Sequence, residues 1–178
     1  MVDILMAYTF GLKDVNGARV ATDVSSYLLH QGNVWTSTYI NMGLADNGTA
    51  YFIWTSGTTY HKHVGFSVTA GGDAIMAGCQ GATIVDIGTA MTNHNRMVGG
   101  SNVTDVTIYQ NGSLSACGTT MFSVFIPGGQ KNSASGALRS STGEWIVPAS
   151  VGTFVLSVIN QAGSEKPIGV EFNWYEED

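Results

Sequence analysis

The side chains with the most chemistry per residue lie in GTAMTNHNRMVGG (88–100), where Asn93, His94, Asn95 and Arg96 stand in a row between Gly88 and the Gly99-Gly100 pair. Asn amides bond nearby backbone in turns, and the Arg guanidinium offers a planar fork of five donors that suits a carboxylate or phosphate. Two readings follow: a site for an anion or sugar, and a loop or bulge whose amides satisfy their own backbone. The glycine flanks favour the loop.

A second group is TYHKHVGF, in which His61 and His63 share one face of a strand because side chains alternate with period two. A metal needs further ligands at fixed geometry. His94 would be the third and Asp73 or Asp86 the fourth, the makings of a cupin-like metalloenzyme. An H-x-H pair in a β-rich chain is more often a strand end with solvated imidazoles. No metal ligand is therefore assigned, and no cofactor is expected.

Covalent catalysis finds little to work with. There is no G-x-S-x-G elbow, and neither Cys79 nor Cys117 has a histidine beside it in sequence. Asp86 and Asp105 could in principle pair as glycosidase carboxylates, but any β-protein offers such pairs. Glu176 and Glu177 belong to an acidic terminus. GGDAIMAGCQG lacks the Lys and the strand–helix context of a phosphate loop. No catalytic residue is assigned, and the chain is expected not to be an enzyme. The aromatic residues, among them Trp35, Trp54, Trp145 and Trp174, would serve either as a stacking platform for sugars or as core and inter-subunit packing.

The elements that must position these residues are β-strands. Of the 178 residues 11% are charged, against roughly 25% in an average soluble domain. Polarity comes instead from Ser, Thr and Asn, with 23 glycines. Such a surface is turn-rich and has little repulsion to hold copies apart, which suits burial against partners. Four acids, Glu171, Glu176, Glu177 and Asp178, account for most of the net charge of −6. With no basic stripe, nucleic acid is not expected as a partner. No apolar run reaches 18 residues, so no membrane span is expected. The start, MVDILMAYTFGLKD, has no basic n-region and is a poor signal peptide. Cys79 and Cys117 fit neither a metal spacing nor a dense disulfide pattern. They are expected as buried thiols of a protein made in a reducing cytoplasm, a disulfide being the alternative.

No linker or composition break divides the chain, so residues 1–178 are expected to form one domain, with an extended N-terminal arm over 1–17. ARVATDVSSYLLH (18–30) could be helix, but its β-branched residues favour strand. NVWTSTYIN (33–41) alternates, with Val34, Thr36, Thr38 and Ile40 opposite Trp35, Ser37 and Tyr39. TAYFIWT (49–55) is nearly continuously apolar and follows an Asp46-Asn47-Gly48 turn, which points to a hairpin. HVGFSVTA (63–70), VTDVTIYQ (103–110), TTMFSVFIP (119–127) and EWIVP (144–148) are further strands. GTFVLSVIN (152–160) and IGVEFNWYE (168–176) read as a closing hairpin. About nine or ten strands at regular spacing predict an all-β, antiparallel β-sandwich of jelly-roll type.

The order of these features resembles a group of small virion proteins of tailed bacteriophages, the head decoration or cement proteins. The resemblance rests on LLHQGNVWTSTY (28–39), GTAYFIWTSGTTYHKHVGFSV (48–68), the GT-to-NHNR stretch (88–96) and the terminal FNWYEED. It does not extend to the section between the two cysteines. What it implies is a structural protein of the capsid surface, assembled in the host cytoplasm. It would bind the major capsid protein as a homotrimer, with NHNR as scaffold. A carbohydrate-binding module on exposed Trp and Tyr is the alternative.

Overall fold

The computed structural model describes Leu29, residues 31–57, 60–128, 136–139, 145–147 and 153–177, with only the backbone path for 136–139 and 177. The expected arm over 1–17, and all but Leu29 of the strand expected over 18–30, lie outside the described residues. Among the described residues fourteen strands follow one another: β1 (Val34–Leu44), β2 (Thr49–Thr55), β3 (His61–Ala70), β4 (Ala74–Gln80), β5 (Thr83–Asp86), β6 (Thr89–Ala90), β7 (His94–Asn95), β8 (Thr107–Gln110), β9 (Ser113–Ala116), β10 (Thr119–Ile126), β11 (Gly136–Arg139), β12 (Trp145–Val147), β13 (Thr153–Asn160) and β14 (Lys166–Glu177).

One sheet runs β11-β3-β14-β1-β7, with β12 also on β3, and the other runs β10-β4-β13-β2-β8-β6. Every pairing in them is antiparallel. Successive strands β1, β2, β3 and β4 alternate between the two sheets, as do β13 and β14. This is the jelly-roll order, built on β1, β14, β3 and β11/β12 facing β2, β13, β4 and β10. The sandwich expected from the sequence is therefore present.

The two expected hairpins are not. β1 and β2 flank the Asp46-Asn47-Gly48 turn but lie in opposite sheets, and so do β13 and β14. Both crossovers are held by one buried side chain. Asn160 Nδ2 donates to the carbonyls of Leu44 (2.8 Å), Ala45 (3.2 Å) and Ser164 (2.8 Å). Its backbone also exchanges bonds with Asn47 and Gly48. Asn47 adopts φ 56, a left-handed conformation that Asn tolerates, and so turns the chain sharply. A turn dipeptide thus marks a reversal without saying which sheet the next strand joins.

Between the sheets lies a dry core. Phe52, Trp54, Val64, Phe66, Leu156, Val158, Phe172 and Trp174 are buried there, each apolar side chain contributing about 1.5–3 kcal/mol of transfer free energy. Trp54 meets Trp174 edge-on at 5.3 Å, and Trp174 stacks with Trp35 at 6.4 Å.

A second, smaller core lies outside the sandwich. Residues 81–118, between β4 and β10, carry the two-stranded β5–β9 sheet, which folds over the outer face of the second sheet. Ile53, Cys79 and Val155 are buried beneath it against Ile84, Leu114 and Tyr109. Cys79 and Cys117 form a disulfide, their Cα atoms 5.7 Å apart. The expectation of free thiols is corrected. Cys79 faces outward from β4, into the layer that the β5–β9 segment closes, which brings Cys117 against it.

Candidate functional site

The NHNR stretch is built into the corner where β7 lies against β1, with Thr36 opposite His94 and Trp35 opposite Asn95. Asn93 Nδ2 donates to the Val106 carbonyl (2.7 Å) and Asn95 Nδ2 to that of Gly32 (2.8 Å), while Asn95 Oδ1 accepts from Met97 N (2.9 Å). Arg96 contributes its backbone N–H to Val34 O (2.8 Å), and its side chain is exposed. The amides thus clamp three chain segments together, which is the scaffold reading of the cluster.

The histidines are separated by the sheet itself. His61, His63 and His94 all lie on the outer face of the first sheet. β14 and β1 intervene, however, because Thr36 opposite His94 pairs with Asn173, and Asn173 with Gly65. Three strand spacings come to roughly 14 Å, too far to share a metal whose ligand bonds are about 2 Å. His63 stacks on Tyr175 at 4.5 Å. Among the described residues no three His, Cys, Asp or Glu side chains are grouped to hold a metal ion. Asp73 Oδ1 accepts from Gly128 N (2.6 Å) and Asp86 Oδ1 from Gly88 N (3.0 Å), so both carboxylates serve turns.

The densest ionisable chemistry lies elsewhere, at the end of the sandwich where β3 begins and β14 ends. Lys62 is completely buried. Its Nζ donates to the carbonyls of Gly57 (3.0 Å) and Tyr60 (2.8 Å) and lies 3.0 Å from Asp105 Oδ1. An ammonium has three N–H donors, and all three are committed. The group is tied into the scaffold by these contacts.

Beside it Glu176 is buried and opposite Lys62 in register. Thr104 Oγ1 accepts from Trp174 Nε1 (3.2 Å) and Val106 N (3.0 Å), so its single proton goes to Glu176 Oε1 in a short contact. Burial pushes the Glu176 carboxyl above its usual value of 4.5, and nearby Asp105 adds to the rise. The Thr104 bond and Lys62 oppose it.

This network explains why the expected strand over 103–110 begins only at Thr107. Thr104 and Asp105 hold the sandwich end with their side chains, and Gly57 N bonds Asp105 O (3.2 Å), leaving Val103 90% exposed. Period two could have revealed the cluster. Lys62 is in line with Val64, Phe66 and Val68, and Glu176 with Phe172 and Trp174.

A cavity of about 230 Å³ opens between the sheets beside β12, lined by Phe66, Met121, Trp145, Val147 and Phe154, with the Gln80 amide among them. Among the described residues no titratable side chain lines it. Trp35, Trp54 and Trp174 are buried in the core, and Trp145 packs on Phe122 at 5.2 Å.

What fold and site together define is an all-β jelly-roll sandwich whose polar clusters are joined into the scaffold. No family model and no curated protein matches the chain. Among solved structures it aligns with one described as "KBV activated particle at acidic pH", at 11% identity and a TM-score of 0.19. The alignment covers 84% of this chain and 50% of the other, so this chain spans about half the length of that one. A superposition that loose bears on neither fold nor function.

Proposed function

We propose that this protein is a non-enzymatic structural component of a phage virion, a decoration or cement protein that docks on the major capsid protein and stabilises the head shell as an oligomer. One observation carries the reading. The polar clusters of the described residues are engaged in holding the scaffold, whereas the surface presents uncharged and apolar side chains. Ile40, Met42, Phe125 and Ile146 are all more than half exposed. A surface of that kind gains by being covered, and many modest contacts add up on a repeating shell. The resemblance to decoration proteins agrees with it and implies a trimer.

The carbohydrate-binding alternative needs aromatic faces open to a sugar. Burial of Trp35, Trp54 and Trp174 favours the structural reading over it. The test is to add the purified protein to head shells of the phage that carries its gene, stripped of the protein. Co-sedimentation with the shells and a raised temperature of shell disruption are expected. Shells that neither bind it nor gain heat tolerance would refute the proposal.

A further inference from the structure

The rim of the first sheet ends in a strand that is only partly covered. β7 pairs with Trp35 and Thr36 of β1 and no further. By Met91, whose N–H bonds Ile108 O, the chain belongs to the other sheet. The direction of the β1 backbone follows from one bond: Val34 O accepts from Arg96 N, on the side away from β14. Backbone groups of alternate residues point the same way, so Thr36, Thr38 and Ile40 also direct N–H and C=O to that side. For Thr38 and Ile40, no hydrogen bond from the described residues reaches them there.

The same stretch carries two of the most exposed apolar side chains of the sandwich body, Ile40 at 73% and Met42 at 77%. From Thr38 to Leu44 it reads TYINMGL, without a charge or proline. Natural edge strands are commonly guarded by lysine, proline or a bulge. Here only the bulge between Asn41 and Leu44 serves, and Gly43 N closes it on Asn41 Oδ1 (2.8 Å). Charge lies one strand in, where Glu171 and Lys166 of β14 stand opposite Thr38 and Leu44, and at the bulge, where Glu165 lies against Gly43.

We infer that the open edge of β1 over Thr38–Met42 is a self-association surface, on which a second copy of this chain adds its own β1 antiparallel across a twofold axis at Ile40. The occupant that fits is a strand, because amides and carbonyls spaced in a row along an edge match the backbone of an added strand. A second copy fits because the edge is uncharged and an antiparallel pair is self-complementary under a twofold. Ile40 then faces its twin, and Thr38 faces the partner's Met42. One operation both pairs the free backbone groups and covers the two exposed side chains. The inference goes beyond the capsid reading and does not rest on it, since a twofold joins copies whether or not they cluster around a threefold or dock on a shell.

The test uses the full chain in solution, with light scattering for mass. The unaltered protein should have a dimer mass or an even multiple of the monomer. Ile40→Lys should halve that mass and weaken association at least tenfold, with little change in thermal stability because the side chain is exposed. Ile40→Cys should give a disulfide-linked dimer under mild oxidation. Directly opposed residues of a hydrogen-bonded antiparallel pair have Cα atoms about 5.5 Å apart, within disulfide range. A monomeric unaltered protein overturns the inference, as does an oligomer indifferent to Ile40→Lys. So does dissociation by Phe125→Lys in place of Ile40→Lys, which would move the contact to β10, the rim of the other sheet. Binding to shells with a monomer in solution would retain the capsid reading and reject this one.

Discussion

The outer faces of the two sheets differ. Over the second sheet, Ile53, Cys79 and Val155 are buried beneath β5–β9, and the disulfide pins that layer to β4. Over the first, Thr36, Gly65, Ser67, Asn173 and their neighbours are only partly covered, and Thr38 and Thr69 are exposed. The strands announce the difference. TFVLSVIN of β13 is apolar on both sides, whereas GVEFNWYE of β14 alternates. In a sandwich, a strand that stops alternating marks a face that some further layer must cover. The bare face, by contrast, is where neutral polar side chains and the open β1 rim meet solvent or a partner.

Matched substitutions can break this comparison. Val155→Asp, beneath β5 and β9, places an unpaired carboxylate in an apolar layer and should cost at least about 4 kcal/mol. Asn173→Asp on the other face should stay within about 0.5 kcal/mol. Urea unfolding measures both, and a comparable loss at Asn173 would mean that its face is covered as well. Replacing Cys79 and Cys117 by Ser should cost about 2–4 kcal/mol. Amide exchange should then rise in β5 and β9 while β3 and β14 keep their protection. Equal loss everywhere would show that the layer is not separable from the sandwich.

The smallest effect contrasts two carboxylates of β14. Glu176 points inward, and Glu171 points outward, where Ser67 Oγ donates to it (3.3 Å). Because the folded state raises the Glu176 pKa, its contribution to stability is fully present below about 4.5 and is lost as pH rises through the folded value. Glu176→Gln keeps an acceptor for Thr104 and removes that loss. The variant should therefore gain melting temperature over the unaltered protein on going from pH 4.5 to pH 8. Glu171→Gln should change stability by less than about 0.5 kcal/mol. A pH-independent difference for Glu176→Gln would mean that the carboxyl is not desolvated.

Alternation was enough to read the strands of the sandwich and to divide β1 into two faces, of which that of Trp35 and Tyr39 packs on the core and that of Thr36, Thr38 and Ile40 does not. The glycines flanking the stretch were enough to favour scaffold over ligand for Asn93 and Asn95. Sheet membership was less legible, because the Asp46-Asn47-Gly48 turn looks the same whether the next strand returns beside its neighbour or crosses the core to Asn160. The Lys62–Asp105–Thr104–Glu176 network was missed for another reason. Its members lie far apart in sequence, and the flanking His61 and His63 and the acidic tail drew attention from them. The disulfide could not be inferred from spacing alone, because the fold brings together residues separated by 38 positions.

The position of β14 also bears on how the chain is made. It lies between β1 and β3 and pairs with both along most of their length. Neither of those strands can acquire that neighbour until residues Lys166–Glu177 have left the ribosome. They are translated roughly 100 residues after β3, which takes on the order of 5–20 s at ordinary elongation rates. During that interval β1 and β3 each lack the partner that joins them into one sheet. This late strand acts as a keystone, and a chain released short of it should be a substrate for chaperones or for aggregation.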